Sequence, residues 1–157
     1  MPVPFRILPR LDDLNRAFWQ GGGSGALTFL TCPACGRIQH PPQPLCAYCH
    51  ARNLVPRAVS GRARVVAVSI NHQNWMPGPE LPYAVAIVEI EEDPSVRLTT
   101  NIVGCPPDDV AIGMPVRVVF EHHPDPHGDV WLPLFEPATG PARAVKQNSS
   151  SPAGGVA

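Results

Sequence analysis

Four cysteines in one short segment carry the clearest chemistry in this sequence. The segment CPACGRIQHPPQPLCAYCH contains Cys32, Cys35, Cys46 and Cys49. Each C-x2-C pair forms a short turn that directs two thiolates at one point, and two pairs complete a tetrahedron of sulfurs about 2.3 Å from a zinc ion. Gly36 follows the first pair, where a tight turn favours a residue that tolerates positive φ. We predict a closed, structural four-cysteine metal site, because no coordination position remains open for a substrate.

Other interpretations of the cysteines remain. Two disulfides would need an oxidising compartment, and the N-terminus MPVPFRILPRLDD lacks the long apolar core of a secretory signal. A redox C-x-x-C motif needs only one pair, and two are present. Iron would fit the same four sulfurs as in rubredoxin, so zinc is the predicted metal and iron is an alternative. Cys105 stands apart in NIVGCPPDD and is interpreted as a small buried apolar residue.

No catalytic motif accompanies the cysteines. The sequence contains no G-x-S-x-G, no phosphate-binding loop and no H-E-x-x-H. The histidines show no metal-ligand spacing, and the paired acids at Glu91-Glu92 and Asp108-Asp109 fall in predicted turns. We therefore assign no catalytic residue and predict that the chain binds other molecules.

Composition favours a β architecture. Of 157 residues, 21 are proline and 13 are glycine, while 44% are hydrophobic. Proline in a helix interior costs about 3 kcal/mol, which argues against long helices. No apolar run approaches the roughly 18 residues of a membrane span. We predict a cytoplasmic chain without a membrane segment.

Charge is distributed unevenly along the chain. Between Asp13 and Glu80 there is no acidic residue, whereas the segment from Glu80 to Gly140 is strongly acidic. A basic segment joined to an acidic one suggests an anionic partner for the first. The basic segment includes Arg37, Arg52, Arg57, Arg62 and Arg64.

The remaining pattern predicts one short helix and a series of strands. Residues 9–20 have apolar positions at helical spacing, and Gly21–Gly23 follow as a stop. Residues 27–31 form a strand that leads into the first cysteine pair. Five β patterns follow at 62–73, 83–92, 96–105, 115–123 and 130–137. A long first strand and five strands in all suit an OB-type barrel, although another five-stranded barrel or half of a sandwich fits nearly as well.

These patterns predict four regions along the chain. An N-terminal helical segment covers residues 1–25, the zinc ribbon 26–56 and the OB-fold domain 57–137. The last region, 138–157, is small and polar, and is predicted to be disordered.

The order of these motifs resembles the DUF35 family. The resemblance rests on FWQGGGSGALTF, then CPACG and PPQPLCAYC, then TTNIVGCPPDDVAIGMPVRVVFE, and it covers roughly residues 11–137. It implies a rubredoxin-like zinc ribbon followed by an OB-fold, with the four cysteines as metal ligands. It also implies a non-catalytic accessory protein that binds a thiolase or thiolase-like aldolase or ketoacyl synthase, in lipid, steroid or aromatic degradation. In some members the module is joined to a MaoC-type hydratase.

The resemblance also implies that the protein helps to bind or channel acyl-CoA. The arginines named above would hold the CoA phosphates, because guanidinium groups match phosphate geometry. Large apolar residues would contact the partner, or else pack in the core: Leu14, Phe18, Trp19, Trp75 and Met76. Two other hypotheses stay open, namely binding of single-stranded nucleic acid, which the single lysine disfavours, and electron transfer through an iron site.

Overall fold

The structure is a computed structural model that describes residues 6–75, 78 and 80–139. These residues are mostly β, as predicted. They form one short α-helix, two short 3-10 helices and eight strands. The predicted disordered tail, apart from Ala138 and Thr139, lies outside the described residues.

The first three strands form the small sheet that carries the cysteine pairs. Strands β1 (Leu27–Thr31), β2 (Ile38–Gln39) and β3 (Val55–Val59) are antiparallel in the order β2-β1-β3. The first cysteine pair lies between β1 and β2, and the second lies between β2 and β3. The boundary predicted between residues 56 and 57 falls inside β3, which pairs with β1 of this ribbon.

Five strands close a barrel in the order β4-β5-β6-β8-β7. They are β4 (Arg62–Asn71), β5 (Tyr83–Ile90), β6 (Arg97–Ile102), β7 (Pro115–His123) and β8 (Val130–Pro137). A register shift between Val65 and Ala67 marks a bulge, which bends the long first strand so that it pairs with both β5 and β7. The five predicted strands are confirmed, and the barrel decides against a half-sandwich.

The N-terminal helix begins later than predicted. The sequence predicted residues 9–20, whereas α1 runs Arg16–Gln20. The carboxylate of Asp12 accepts hydrogen bonds from the backbone N–H groups of Leu14 and Asn15 at 2.9 and 2.8 Å. These bonds build a turn where the first helical turn was expected, because short polar side chains compete with helix formation.

A glycine-rich 3-10 helix continues α1 and packs tightly against the barrel. It spans Gly21–Ser24. A Cβ atom on Gly22 would lie 2.5 Å from Cβ of Trp131 and 2.6 Å from a ring carbon of Phe120. Only glycine permits this approach, so the glycine run that ends the α-helix also fixes the N-terminal segment on β7 and β8.

One apolar core joins the three parts of the chain. Phe18 of α1 and Phe29 of β1 belong to the same buried cluster as Val65, Val88 and Phe135 of the barrel. The Phe18 and Phe29 ring centroids are 5.5 Å apart. Helix, ribbon and barrel therefore pack against one another through buried apolar side chains.

Candidate metal centre and surrounding surfaces

The two knuckles bring the four cysteine sulfurs together. Sγ of Cys32 lies 3.5 Å from Sγ of Cys49, and Sγ of Cys35 lies 3.6 Å from Sγ of Cys46. All four sulfurs lie within 4.8 Å of one another. A tetrahedral tetrathiolate with metal–sulfur bonds of about 2.3 Å separates its sulfurs by about 3.8 Å. The predicted cluster is therefore assembled, and its donor atoms fit a tetrahedral metal ion.

The two knuckles share one backbone geometry. In the first, Cys32 N–H donates to the carbonyl of Arg37 and Gly36 N–H donates to that of Cys32. In the second, Cys46 and His50 occupy the equivalent places, with Ala51 as the acceptor for Cys46 N–H. Gly36 has φ 75° and His50 has φ 59°. The same turn thus needs a left-handed residue twice, and His50 fills this structural position while its side chain stays exposed.

The thiols differ in acidity. The backbone N–H groups of Cys49 and Tyr48 point at the Cys46 sulfur and lower the pKa of this thiol to about 6. The N–H of Ala51 acts in the same direction on Cys49, but the neighbouring sulfurs, Cys32 first, raise the pKa of Cys49 to about 12. A bound divalent cation deprotonates the thiols that coordinate it, so it would overcome this mutual repulsion.

Gln39 supports the cluster from outside the ligand set. Its side chain is buried, Nε2 lies 3.7 Å from the Cys46 sulfur, and Oε1 accepts a hydrogen bond from the backbone N–H of Ala47 at 3.0 Å. The amide therefore ties β2 to the second knuckle and donates toward a ligand sulfur. Sequence reasoning missed this residue, because the segment between the cysteine pairs carries two amides, Gln39 and Gln43, and nothing in the sequence distinguishes the buried one.

The five predicted arginines fall in two regions. Arg62 and Arg64 are on barrel strand β4, where Arg62 forms an ion pair with Glu91 and Arg64 donates to the Gly113 carbonyl at 2.6 Å. They line one groove of the barrel together with Glu89 and Glu91. Glu91 offsets Arg62, Glu89 pairs instead with Arg97 of β6, and Arg64 is bound to the Gly113 carbonyl. Both groove arginines therefore already have partners within the protein.

The other three arginines lie on the ribbon and are exposed. Arg37 sits over the Tyr48 ring, 4.1 Å from its centroid. Arg52 and Arg57 show no ion pair with an acidic side chain in residues 6–75, 78 and 80–139. The ribbon therefore offers the arginines that are more available to an external anion.

The predicted interface residues differ in exposure. Trp75 is 77% exposed and Leu14 is 36% exposed. Trp19 is half-buried, whereas Phe18 is only 7% exposed and packs against Phe29 and His40. The structure thus places Phe18 in this chain's own core, because it fills the junction between helix and ribbon. Met76 lies outside the described residues.

Two histidines at the end of β7 form side-chain contacts. His122 stacks on Trp131, with ring centroids 4.1 Å apart, and its Nε2 lies 2.7 Å from a carboxylate oxygen of Asp129. Nε2 of His123 lies 2.6 Å from Glu121. Cys105 is partly buried, and this burial together with Asp109 raises the pKa of its thiol. The His122 contacts join β7 to β8 and to the loop between them, whereas the His123 contact lies within β7.

Family models match both parts of the chain. The model described as the ChsH2 rubredoxin-like zinc ribbon domain matches residues 19–55, and the ChsH2 C-terminal OB-fold domain matches residues 56–121. This chain belongs to the DUF35 family of ChsH2-type proteins. The predicted family is confirmed, and the barrel is an OB-fold.

Similar curated proteins come from bacteria and archaea. A probable enoyl-CoA hydratase alpha subunit of Thermomonospora curvata is 34% identical over 137 residues, which is 87% of this chain and 41% of that protein. The 3-oxo-4,17-pregnadiene-20-carboxyl-CoA hydratase alpha subunit of Mycobacterium tuberculosis is 34% identical over 74% of this chain and 36% of that protein. A DUF35 domain-containing scaffold protein of Methanocaldococcus jannaschii is 35% identical over 57% of this chain and 63% of that protein. The DUF35 chain thus spans about two fifths of the hydratase subunits.

Solved structures share the architecture. A chain of the Ltp2-ChsH2(DUF35) aldolase superposes with a TM-score of 0.72 at 34% identity, covering 83% of this chain and 99% of that chain. A DUF35 protein of unknown function from Sulfolobus solfataricus shares the fold, with a TM-score of 0.53 at 17% identity. In the described residues, no helix has the length and hydrophobicity needed to cross a lipid bilayer.

Proposed function

We propose that this DUF35 chain is a cytoplasmic, non-catalytic scaffold subunit that associates with a thiolase or thiolase-like aldolase and helps to bind acyl-CoA. The observation that carries the proposal is the similarity to the ChsH2-type chain of an aldolase, which this chain matches over 99% of that chain's length. Relatives named scaffold proteins support a non-catalytic role.

The metal in this proposal is zinc, held by Cys32, Cys35, Cys46 and Cys49. The four sulfurs fit a tetrahedral ion, and the matching family model describes a zinc ribbon. Zinc in a closed tetrathiolate site stabilises the fold of the segment that binds it. Elemental analysis and colour test this point, because an iron tetrathiolate is red and a zinc tetrathiolate is colourless.

The CoA phosphates would meet the ribbon arginines. Arg52 and Arg57 are exposed without an acidic partner in the described residues, whereas Arg62 is paired with Glu91. The predicted contribution of Arg62 and Arg64 is therefore the weaker part of the proposal. Replacing Arg52 and Arg57 by alanine should weaken CoA binding by the complex, and the matched Arg62→Ala variant should have a smaller effect.

The partner would dock on exposed apolar side chains. Trp75 is the largest of the predicted anchors that remain exposed, and aromatic residues commonly dominate interface energies. Trp75→Ala should weaken complex formation, while Ile112→Ala serves as a matched control, since Ile112 is 71% exposed and lies outside the predicted interface.

A hydratase is the second candidate partner. Its support is the 34% identity to two hydratase alpha subunits, in which the matching region is about two fifths of the protein. Co-expression with the aldolase and with the hydratase in parallel distinguishes the two partners by co-purification.

The deciding experiment is co-expression with a thiolase-like enzyme encoded beside this chain. A stable complex, with enzyme solubility or activity that depends on this chain, is the expected result. An enzyme that is soluble and fully active alone would contradict the proposal. Salt-sensitive binding of single-stranded DNA or RNA by the purified chain would instead favour the nucleic-acid hypothesis.

A further inference from the structure

A cleft of about 240 Å³ lies where the N-terminal segment, the ribbon and the barrel meet. Barrel strands β6 and β8 form two of its walls, through residues 98–101 and 132–134. These strands run parallel but share only one paired position, Ile102 with Phe135. Before that point they are not joined by a ladder, and the cleft lies between them. Phe18, Trp19 and His40 close it from the side of the helix and ribbon.

The lining of the cleft is mostly apolar, with a few polar groups. Leucines from β6 and β8 and the rings of Phe18 and Trp19 provide apolar surface. The Thr100 hydroxyl is committed to the carbonyl of Pro133, to which it donates at 2.9 Å. The Thr99 side chain is exposed where the cleft meets solvent. A mainly apolar concavity with few polar groups is typical of a small-molecule site.

The cation that lines the cleft is neutralised. Nε of Arg6 donates to a carboxylate oxygen of Glu121 at 3.0 Å, and Nη1 donates to Oδ1 of Asn101 at 2.9 Å. The Asn101 side chain is also held at its nitrogen, which donates to the carbonyl of Ala84 at 3.0 Å. The charge of Arg6 is therefore balanced within the protein, and the cleft has no net charge that would attract a phosphate.

His40 adds a polar group without a charge. Its ring packs between Phe18 and Phe29, with centroids 5.1 and 5.3 Å away, and burial lowers the pKa of the imidazole. In the described part of the chain, neither ring nitrogen has a hydrogen-bond partner, although His40 lines the cleft. A neutral imidazole can both donate and accept a hydrogen bond, so it suits an amide group of a ligand.

We propose that this cleft binds the pantetheine arm of an acyl-CoA, an uncharged chain with two amides, a hydroxyl and apolar segments. The arm combines apolar length with amide groups, as the cleft combines apolar walls with His40 and Thr99. The phosphorylated head would lie elsewhere, because Arg6 is already paired. This inference rests on the proposed function for the choice of acyl-CoA and assigns a place to the arm of that ligand.

The test is a titration of the full-length, metal-loaded chain with S-acetylpantetheine, whose blocked sulfur does not compete for metal. Chemical shifts of the Trp19 indole N–H and of the Asn101 side-chain amide report on the cleft. Saturable shifts of these signals are expected. Adenosine 3′,5′-bisphosphate, which is the head alone, and hexanamide, which represents an apolar amide chain, should leave them nearly unchanged. Equal shifts with either compound, or none with S-acetylpantetheine, would overturn the inference.

Three variants, one of them a control, test whether S-acetylpantetheine binds in this cleft. Thr99→Phe fills the mouth of the cleft and should weaken S-acetylpantetheine binding about tenfold. Ser69→Phe introduces the same ring at another exposed strand position, outside the cleft, and should leave binding unchanged. His40→Phe keeps an aromatic ring but removes its nitrogens, and should weaken binding several-fold. Unchanged affinity in Thr99→Phe, with native circular dichroism and metal content, would exclude this cleft.

The outcome is distinguishable from that of the scaffold experiment. The titration needs no partner enzyme, and co-purification needs no acyl-CoA. A chain that forms the complex but does not bind S-acetylpantetheine refutes only the cleft. A chain that binds S-acetylpantetheine without forming the complex refutes the scaffold proposal.

Discussion

The ribbon and the barrel of this DUF35 chain are held together by different forces. The barrel has five strands and fully buried apolar side chains such as Val65, Val88 and Phe135. The ribbon has three short strands, and the segments between them bring four sulfurs together. Because a small segment buries too little apolar surface to fold unaided, we expect the ribbon to depend on metal coordination, whereas the barrel is stabilised by apolar burial. The difference predicts that the two parts respond to different perturbations.

The largest expected effect is loss of a metal ligand. Cys46→Ser should release the metal and unfold the knuckles, because structural zinc contributes roughly 10–16 kcal/mol in zinc-finger peptides. The barrel strands should keep their amide protection, since their ladders do not include the knuckles. Metal analysis and hydrogen exchange measure both parts. Stoichiometric metal with a native ribbon in this variant would contradict the comparison, and Cys105→Ser is the matched control.

The second-largest expected effect is a loss of barrel stability. Gly22→Ala places a methyl group 2.5 Å from Trp131 and should lower the free energy of unfolding by about 1–3 kcal/mol without metal loss. Gly23→Ala is a graded control, because its Cβ would lie 3.2 Å from the Trp131 indole nitrogen. Thermal and denaturant unfolding measure both variants. A Gly22→Ala protein as stable as the wild type would show that the helix does not clamp the barrel.

The third prediction is a change at Gln39 that affects the metal site and spares the barrel. Gln39→Leu removes the amide near the Cys46 sulfur and should weaken metal affinity about 10- to 100-fold while leaving barrel stability nearly unchanged. Competition with a chelator measures the affinity. The exposed neighbouring amide Gln43 supplies the control, because Gln43→Leu should leave the affinity as it is. Equal metal affinities in the two variants would show that Gln39 does not support the metal site.

The smallest expected effect is a pH dependence of the barrel. Burial raises the pKa of Glu121, but Arg6 and His123 outweigh burial and hold it below 4.5. The folded pKa is depressed, so this stabilisation is present above the unfolded value and is lost as pH falls through the folded one. Glu121→Gln should flatten this acid limb of the stability curve. If stability fell equally steeply at low pH in the Glu121→Gln variant, other carboxylates would account for the pH dependence.

Several features of the fold could be predicted from local sequence alone. The strands of the barrel follow from alternating and β-branched runs, and β5 shows the resulting alternation of buried and less buried residues. The start of the helix was wrong, because Asp12 forms hydrogen bonds that helical periodicity does not encode. Gln39 was missed, since its role depends on a sulfur seven residues away across a turn.

The predicted arginines show the same limit. Charge density along the chain identified Arg62 as readily as Arg57, but the fold places Glu91, 29 residues away, against Arg62. In the same way, the sequence predicted both Phe18 and Trp75 as interface residues, but packing buries Phe18 and leaves Trp75 exposed. Partners distant in the sequence are chosen by strand pairing and packing, which composition does not report.

By itself, the sequence determined the four-cysteine motif, the short ribbon and the five barrel strands. These depend on turns and periodic patterns among residues that are close along the chain. Only the tertiary structure decided the barrel closure, the Arg6–Glu121 pair and the cleft between β6 and β8. Each of these joins residues tens of positions apart, and their meeting depends on how the whole chain packs.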